Sequence, residues 1–360
     1  MGILFSKPVS LVGLDISSTA VKLLELSKIQ KKDQTLYTVE NYLIEDLPLN
    51  AVNDKHIEDH ELVNQVVTKA VLKSKFKTMY AAIALPRSEV VTRVIQIKRG
   101  LSETETEVEV RSQAEQYIPY AMDDVSLDYE IMGDNEHEPE EVDVQFAAAK
   151  TENVDVRLAA ANIDKKFKVK VVDIEEFALE NAFVLLAEQN PKIKNSDVVA
   201  LLDIGATTIT YTVLQQKKIV YTREQAFGGK QLTEQIQSQY GLDFDTAERA
   251  KRHNELPAGY KVDVLEPFML NIAQEVQRAE QYYYSSGTPG TIDHTILTGG
   301  CAKIEGLAHE IQEQIGGNVM VARLFDHMEV ARHIKRSALI QDAPVLMIAC
   351  GLALRSFDHG

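Results

Sequence analysis

The chain has 360 residues, enough for two or three domains, and its 45% hydrophobic and 26% charged content is that of folded globular cores rather than disorder or a coiled coil. Its formal charge, 38 − 54 = −16, excludes the broad positive surface that a nucleic-acid binder needs. The two cysteines, Cys301 and Cys350, have no metal-site spacing and are too few for a disulfide scaffold, as in a reducing compartment.

Met1 to Ser6 matches the myristoylation pattern MGxxxS, which is short and common by chance, and is read as a plain start before the first strand. The opening is no secretory signal, because Asp15 cuts its apolar stretch. The segment 11–23 (LVGLDISSTAVKL) reads as an apolar strand, then Asp15, then small and hydroxyl residues, then a second strand. Strand-like sequence follows at 36–44, a helix at 58–72 and a short buried strand at 79–86. From there the pattern changes. Strands at 90–97, 126–132 and 142–149 surround a capped helix from 103 to about 117, with an acidic loop at 133–141. A helix at 153–162, a strand at 169–174 and a helix at 176–189 come next. The segment 201–211 (LLDIGATTITY) then repeats the first hairpin, and two copies so far apart predict two similar halves facing one another. The second half continues with Gly228-Gly229, helices at 231–240, 246–253 and 265–284, a strand at 292–297, Gly299-Gly300 and a helix at 304–315. The longest apolar run, 343–354, has the length of a core helix rather than of a bilayer span. The chain is therefore expected to be cytoplasmic, with membrane contact only through a partner.

The hairpin tips carry the candidate chemistry. A phosphate needs several donors converging without steric block. Tight turns of small residues supply backbone N–H groups, and Ser17, Ser18, Thr19, Thr207 and Thr208 add hydroxyls. Asp15 and Asp203, each at a strand end, could hold a hydrated Mg²⁺. One such hairpin alone is ordinary turn chemistry; two aligned copies favour a phosphate clamp. Glu248, Lys251 and Arg252 share one helix face and could meet a nucleoside, though alone they read as a solvated face. Neither GxxxxGK[ST] nor GxGxxG occurs, so P-loop and Rossmann readings lose.

In this order the pieces resemble the actin/Hsp70/sugar-kinase superfamily. The resemblance implies an α/β fold of two related domains around a nucleotide cleft, binding ATP and Mg²⁺. Segment 15–23, with Ser17, Ser18, Thr19 and Lys22, is similar to its first phosphate loop. Segment 203–210, with Gly205, Ala206, Thr207 and Thr208, is similar to the second. Gly228 and Gly229 match the paired glycines, Glu248, Lys251 and Arg252 the nucleoside helix, and Gly299, Gly300 and Lys303 the adenosine motif. Asp15 and Asp203 would position the metal, and Glu175 would orient the attacking water or simply sit at a helix start. The small α+β insert resembles that of FtsA, but the amphipathic membrane-targeting helix of FtsA has no counterpart in the closing segment 355–360.

Segments 13–26, 172–183 and 349–355 resemble the PilM family of actin-like proteins in type IV pilus assembly. That resemblance implies an adaptor that docks the cytoplasmic N-terminal tail of the inner-membrane protein PilN, in a groove between the first half and the insert. It further implies a place at the cytoplasmic face of the inner membrane and contacts with other assembly proteins, the assembly motor among them. The expected division is 1–79, 173–197 and 341–360 for the first half, 80–172 for the insert, 198–230 and 288–340 for the second half, and 231–287 for a helical subdomain. Ser17 stands where actin and Hsp70 have glycine. Its Cβ restricts backbone approach to a phosphate, so slow or absent ATP hydrolysis is expected. A small-molecule kinase or a filament-forming ATPase of the same superfamily are the competing readings.

Overall fold

Two mixed sheets, each opening on one of the Asp-containing hairpins, organise the structure, a computed structural model that describes residues 10–31, 34–135, 138–253 and 255–357. The MGxxxS pattern and part of the acidic loop lie outside the described residues. In the first half β1 (Val12–Ile16), β2 (Ala20–Lys31) and β3 (Gln34–Asp46) form an antiparallel meander. A tight turn joins two short strands, β4 (Val52–Asn53) and β5 (His56–Ile57). Helix α1 (His60–Lys73) starts where the Asp59 carboxylate accepts from the N–H groups of Glu61 and Leu62, and it buries Val63, Val67 and Ala70 at helical spacing. Strand β6 (Tyr80–Leu85) then lies parallel to β1, so β1 is flanked on both sides and every one of its residues is buried.

A separate three-stranded antiparallel sheet follows, built from β7 (Val90–Lys98), β8 (Val125–Asp134) and β9 (Glu141–Lys150) in the order β7-β9-β8. Helix α2 (Glu103–Ala114) supplies Val110 and Ala114 to the core of this unit, beside Ile95, Ile97, Val144 and Phe146. It opens on the predicted capping box, in which the Ser102 N–H donates to Glu105 Oε2 at 2.9 Å. Strand β9 runs without a loop into α3 (Thr151–Ala161), and β10 (Lys168–Ile174) follows.

The expected insert, 80–172, is too wide. Strands β6 and β10 pair with each other inside the first sheet, and α3 buries Ala160 and Ala161 in the first-half core with Val63 and Val67 of α1. The distinct unit is the three-stranded sheet and α2, from Val90 to Lys150. A helical period shows which face is apolar but not which sheet will cover it, so the sequence placed α3 on the wrong side of the boundary.

Helix α4 (Glu175–Gln189) leads to the second meander, β11 (Val198–Ile204), β12 (Ile209–Gln215) and β13 (Lys218–Gln225). Then come α5 (Gly229–Tyr240), α6 (Phe244–His253), α7 (Glu266–Ser285), β14 (His294–Thr298), α8 (Leu307–Ile315) and β15 (Val319–Val321). The second sheet has the order β13-β12-β11-β14-β15. Leu232, Ala247 and Ile272 of α5, α6 and α7 join the core of this sheet, so the helices expected as a subdomain at 231–287 share its core. The chain then returns early to the first half. Strand β16 (Glu329–Val330) pairs parallel with β3, which corrects the expected crossing at 340 and completes the six-stranded order β10-β6-β1-β2-β3-β16.

Helices α9 (Arg336–Asp342) and α10 (Met347–Leu354) close the fold. The helical stretch Arg336–Phe357 is long and apolar enough to span a membrane by length and composition, but Ala349, Cys350, Leu352 and Ala353 are fully buried in the protein core. One core cluster contains Leu24 of the first sheet, Leu201 of the second, Leu186 of α4 and Ala349 of α10, so the halves share it. Where the two connecting helices cross, a Cβ on Gly351 would overlap the carbonyl oxygen of Ala178; only glycine permits that approach.

Candidate functional site

Both hairpin tips open into one cleft of about 1310 Å³. Asp15, Ser17, Ser18, Thr19, Lys22 and Glu175 line it from the first half. Asp203, Gly205, Ala206, Thr207, Thr208, Gly229, Glu248, Lys251, Arg252, Gly299, Gly300 and Lys303 line it from the second. Gly228 is the exception. It does not line the cleft but lies behind the second hairpin tip, where an added Cβ would come within 2.6 Å of the carbonyl oxygens of Gly205 and Ala206.

Sheet register builds the floor of the cleft. Asp15 and Lys22 are directly opposed across β1 and β2, and Lys22 Nζ is 2.8 Å from Asp15 Oδ2. Asp203 occupies the corresponding place on β11, beside Thr298 of β14, whose hydroxyl donates to Asp203 Oδ1 at 3.2 Å. The next residue, Gly299, has φ +84°, and its Cβ would sit 2.6 Å from that same Asp203 oxygen. The Gly299 N–H donates to the Pro344 carbonyl at 2.9 Å, tying this turn to the segment between α9 and α10. In the first loop, the Ser17 hydroxyl donates to the Ala20 carbonyl at 2.9 Å, so it serves the turn itself. In the second, Gly229 and Lys230 N–H groups donate to the carbonyls of Gly205 (3.0 Å) and Ala206 (2.7 Å).

Lys55 is a charged residue of the cleft that the sequence reading missed. The turn between β4 and β5 has positive φ at both central residues, Asp54 (46°) and Lys55 (69°), as in a two-residue hairpin. It brings Lys55 into the cleft, with Nζ 2.8 Å from Glu175 Oε2 and 4.0 Å from Glu224 Oε1 of the second half. Asn53-Asp54 was the available signal, since these residue types favour left-handed turns; lysine beside them hid it. Glu175 is the first residue of α4 and is 7% exposed.

The charges are strongly coupled. Burial pushes the Glu175 carboxyl up, but the Lys55 ammonium, the Arg157 guanidinium and the Lys55 hydrogen bond outweigh it and hold the group below the usual carboxylate range. Burial likewise disfavours charge on Lys55, yet Glu175 and Asp203 raise it above the ordinary lysine value. Asp203 goes the other way. Burial pushes it up, with Glu175 and Asp15 adding to the shift and Lys55 and Lys22 opposing it.

The residues expected to meet a nucleoside, Glu248, Lys251 and Arg252, form one network through Thr233. Thr233 of α5 donates to Glu248 Oε2 (2.6 Å), Lys251 Nζ donates to Thr233 Oγ1 (2.7 Å) and the Gly229 carbonyl (3.1 Å), and Arg252 Nε donates to Glu248 Oε1 (2.8 Å). Arg252 also reaches Asp46 of β3 at 2.6 Å, and Lys303 pairs with Asp342 at 2.8 Å. Among the described residues no group of three or more His, Cys, Asp or Glu could cage a metal. The pair Asp15 and Asp203 therefore fits only an ion that keeps most of its own water.

Two α/β halves, matched hairpins at a shared cleft and two crossing connecting helices define the actin-like ATPase fold. The structure is similar over 98% of this chain and 92% of the other to the ethanolamine utilization protein EutJ from Carboxydothermus hydrogenoformans, with a TM-score of 0.55 and 16% identity. A nearer likeness, with a TM-score of 0.79 and 26% identity over 98% of this chain and 100% of the other, is to a structure described as a PilM-PilN type IV pilus biogenesis complex. The family model of the type IV pilus assembly protein PilM matches residues 13–357, and the chain belongs to that family.

Proposed function

We propose that this chain is an ATP-binding adaptor of type IV pilus assembly that docks the cytoplasmic N-terminal tail of a PilN-type inner-membrane protein. The observation that carries the nucleotide reading is that both hairpin tips, with Asp15 and Asp203 at their bases, line one cleft. The charges at its floor, Asp15, Glu175 and Asp203 against Lys22 and Lys55, sum formally to −3 + 2 = −1. A polyphosphate entering a net negative site needs an added cation, and Mg²⁺ supplies charge neutralisation there. Asp15 and Asp203 would hold it through water. Lys22 and Lys55 would meet phosphate oxygens, and Glu175, released from Lys55, would be placed to orient water. Glu248, Lys251, Arg252, Gly299, Gly300 and Lys303 would take the nucleoside end. Slow or absent turnover remains our expectation, because Ser17 puts a side chain on the first loop.

Family membership and the likeness to the PilM-PilN complex support the partner. Strand β10 ends the first sheet, with Val172 37% exposed, and Val94 on β7 of the inserted unit is 52% exposed. A free sheet edge suits an extended peptide, exposed apolar side chains on the inserted unit could meet its apolar residues, and the net charge of −16 favours a basic or apolar-basic one. The test is calorimetry with Mg-ATP, on the intact chain and on Asp203→Ala, together with tail-peptide binding to a chain whose residues 91–149 are replaced by a short linker. Retained ATP binding with lost peptide binding is expected in the replaced chain. Full peptide affinity there would remove the insert from the docking site, and unchanged ATP affinity in Asp203→Ala would remove the nucleotide reading.

A further inference from the structure

Arg157 is a buried cation with an unusual set of partners. It lies two turns into α3, is 2% exposed, and its nearest carboxylate, on Glu89, is 4.0 Å from Nε. Its guanidinium instead serves two backbone carbonyls. Nη2 donates to Lys55 O at 2.6 Å, and Nη1 donates to Ala84 O at 3.1 Å. Ala84 is opposite Asp173 in the β6–β10 pairing, two residues before Glu175. One side chain thus touches the backbone at Lys55 itself and the strand pair that delivers its ion-pair partner.

A buried arginine is costly to desolvate, and an apolar residue of similar size would fill the same space at less cost. Its fork of donors, however, can fix a backbone carbonyl in one orientation. The Lys55 turn needs such a hold. Two consecutive non-glycine residues in left-handed conformation are strained, and the hairpin they close has only two residues in each strand. We infer that Arg157 is a positioning residue, which pins the 54–55 turn so that the Lys55 ammonium is presented to the phosphate end of a nucleotide. Because β9 continues directly into α3, the same side chain ties the central strand of the inserted sheet to the cleft. This inference rests on the nucleotide reading above.

The experiment uses the full chain and three variants, Arg157→Lys, Arg157→Met and Lys55→Ala, with the corresponding doubles. Hydrogen exchange of the peptide spanning 52–57, measured without nucleotide, is expected to quicken about tenfold in Arg157→Met and less in Arg157→Lys, which keeps one donor. Calorimetric Mg-ATP affinity should fall about tenfold in Arg157→Met, with partial recovery in Arg157→Lys. In the Lys55→Ala background the Arg157 changes should have no further effect on affinity, since Arg157 acts through Lys55. Unchanged exchange at 52–57, or affinity losses that multiply in the double variants, would overturn the inference. If Arg157→Met does not fold, Arg157→Lys carries both measurements. A wild-type chain that binds no Mg-ATP overturns the nucleotide reading, and the exchange arm tells that failure apart because it uses no nucleotide.

Discussion

Removing Lys55 should cost stability out of proportion to its size. At 2.8 Å and an effective dielectric of about 20, the gross attraction between Lys55 and Glu175 is about 6 kcal/mol. Desolvation of both groups offsets most of that, but deleting one partner leaves the other charge buried, at about 3–5 kcal/mol. Glu175 would keep the more distant Arg157, so the lower end applies: about 3 kcal/mol for Lys55→Met. Glu175→Gln should cost about 2 kcal/mol, and the double variant no more than Lys55→Met alone, which makes the coupling about 2 kcal/mol. With no tryptophan in the chain, urea unfolding is best followed by circular dichroism. The pH dependence has a definite sign. Glu175 is held below its ordinary value of 4.5, so the pair contributes above that pH and is lost as pH falls through the depressed folded value. Single-variant losses that add to within about 0.5 kcal/mol, or a coupling that survives strong acid, would refute the reasoning.

Other perturbations test different parts of the cleft. Gly299→Ala should weaken Mg-ATP binding more than tenfold in calorimetry and cost about 2 kcal/mol, since it adds a left-handed alanine against Asp203. Asp203→Asn should abolish tight Mg-ATP binding while leaving the urea midpoint at neutral pH at or above that of the wild type. Burial raises this carboxyl above 3.8, so its ionisation subtracts stability as pH rises from there through the raised folded value. Burial pushes the Cys301 thiol up to about 12, so alkylation at pH 8 should be slow, as read by mass spectrometry, and slower still with Mg-ATP in the cleft that Cys301 lines.

Much of this site was legible because its loops announce themselves locally. Asp15 and Asp203 each end an apolar strand and precede small, hydroxyl-bearing turns, and the repetition of that pattern placed the two hairpins in equivalent positions. Lys55, Arg157 and Asp46 were not legible, because their roles depend on contacts across 120, 102 and about 200 residues. Nothing in the local sequence of α3 shows that an arginine will turn inward toward the carbonyl of a distant turn. The insert boundary failed for a related reason. Strand periodicity described β6 and β10 correctly as strands, but parallel pairing between them is set by the fold on either side of the insert, not by either segment.

The crossing of α4 and α10 at Ala178 and Gly351 has a mechanical consequence. Backbone meets backbone there, with no side chain from Gly351 to interlock with its neighbour. Helices that touch through interdigitated side chains resist turning, because each ridge must leave its groove. Around this point Leu179, Ala182 and Phe183 of α4 do pack with Ala349, Cys350 and Ala353 of α10, so the bare contact sets how closely the two helices approach while the side chains on either side hold their angle. A side chain added at Gly351 would therefore act as a wedge, forcing apart the two helices that join the halves, where a cavity elsewhere in the core would only loosen them.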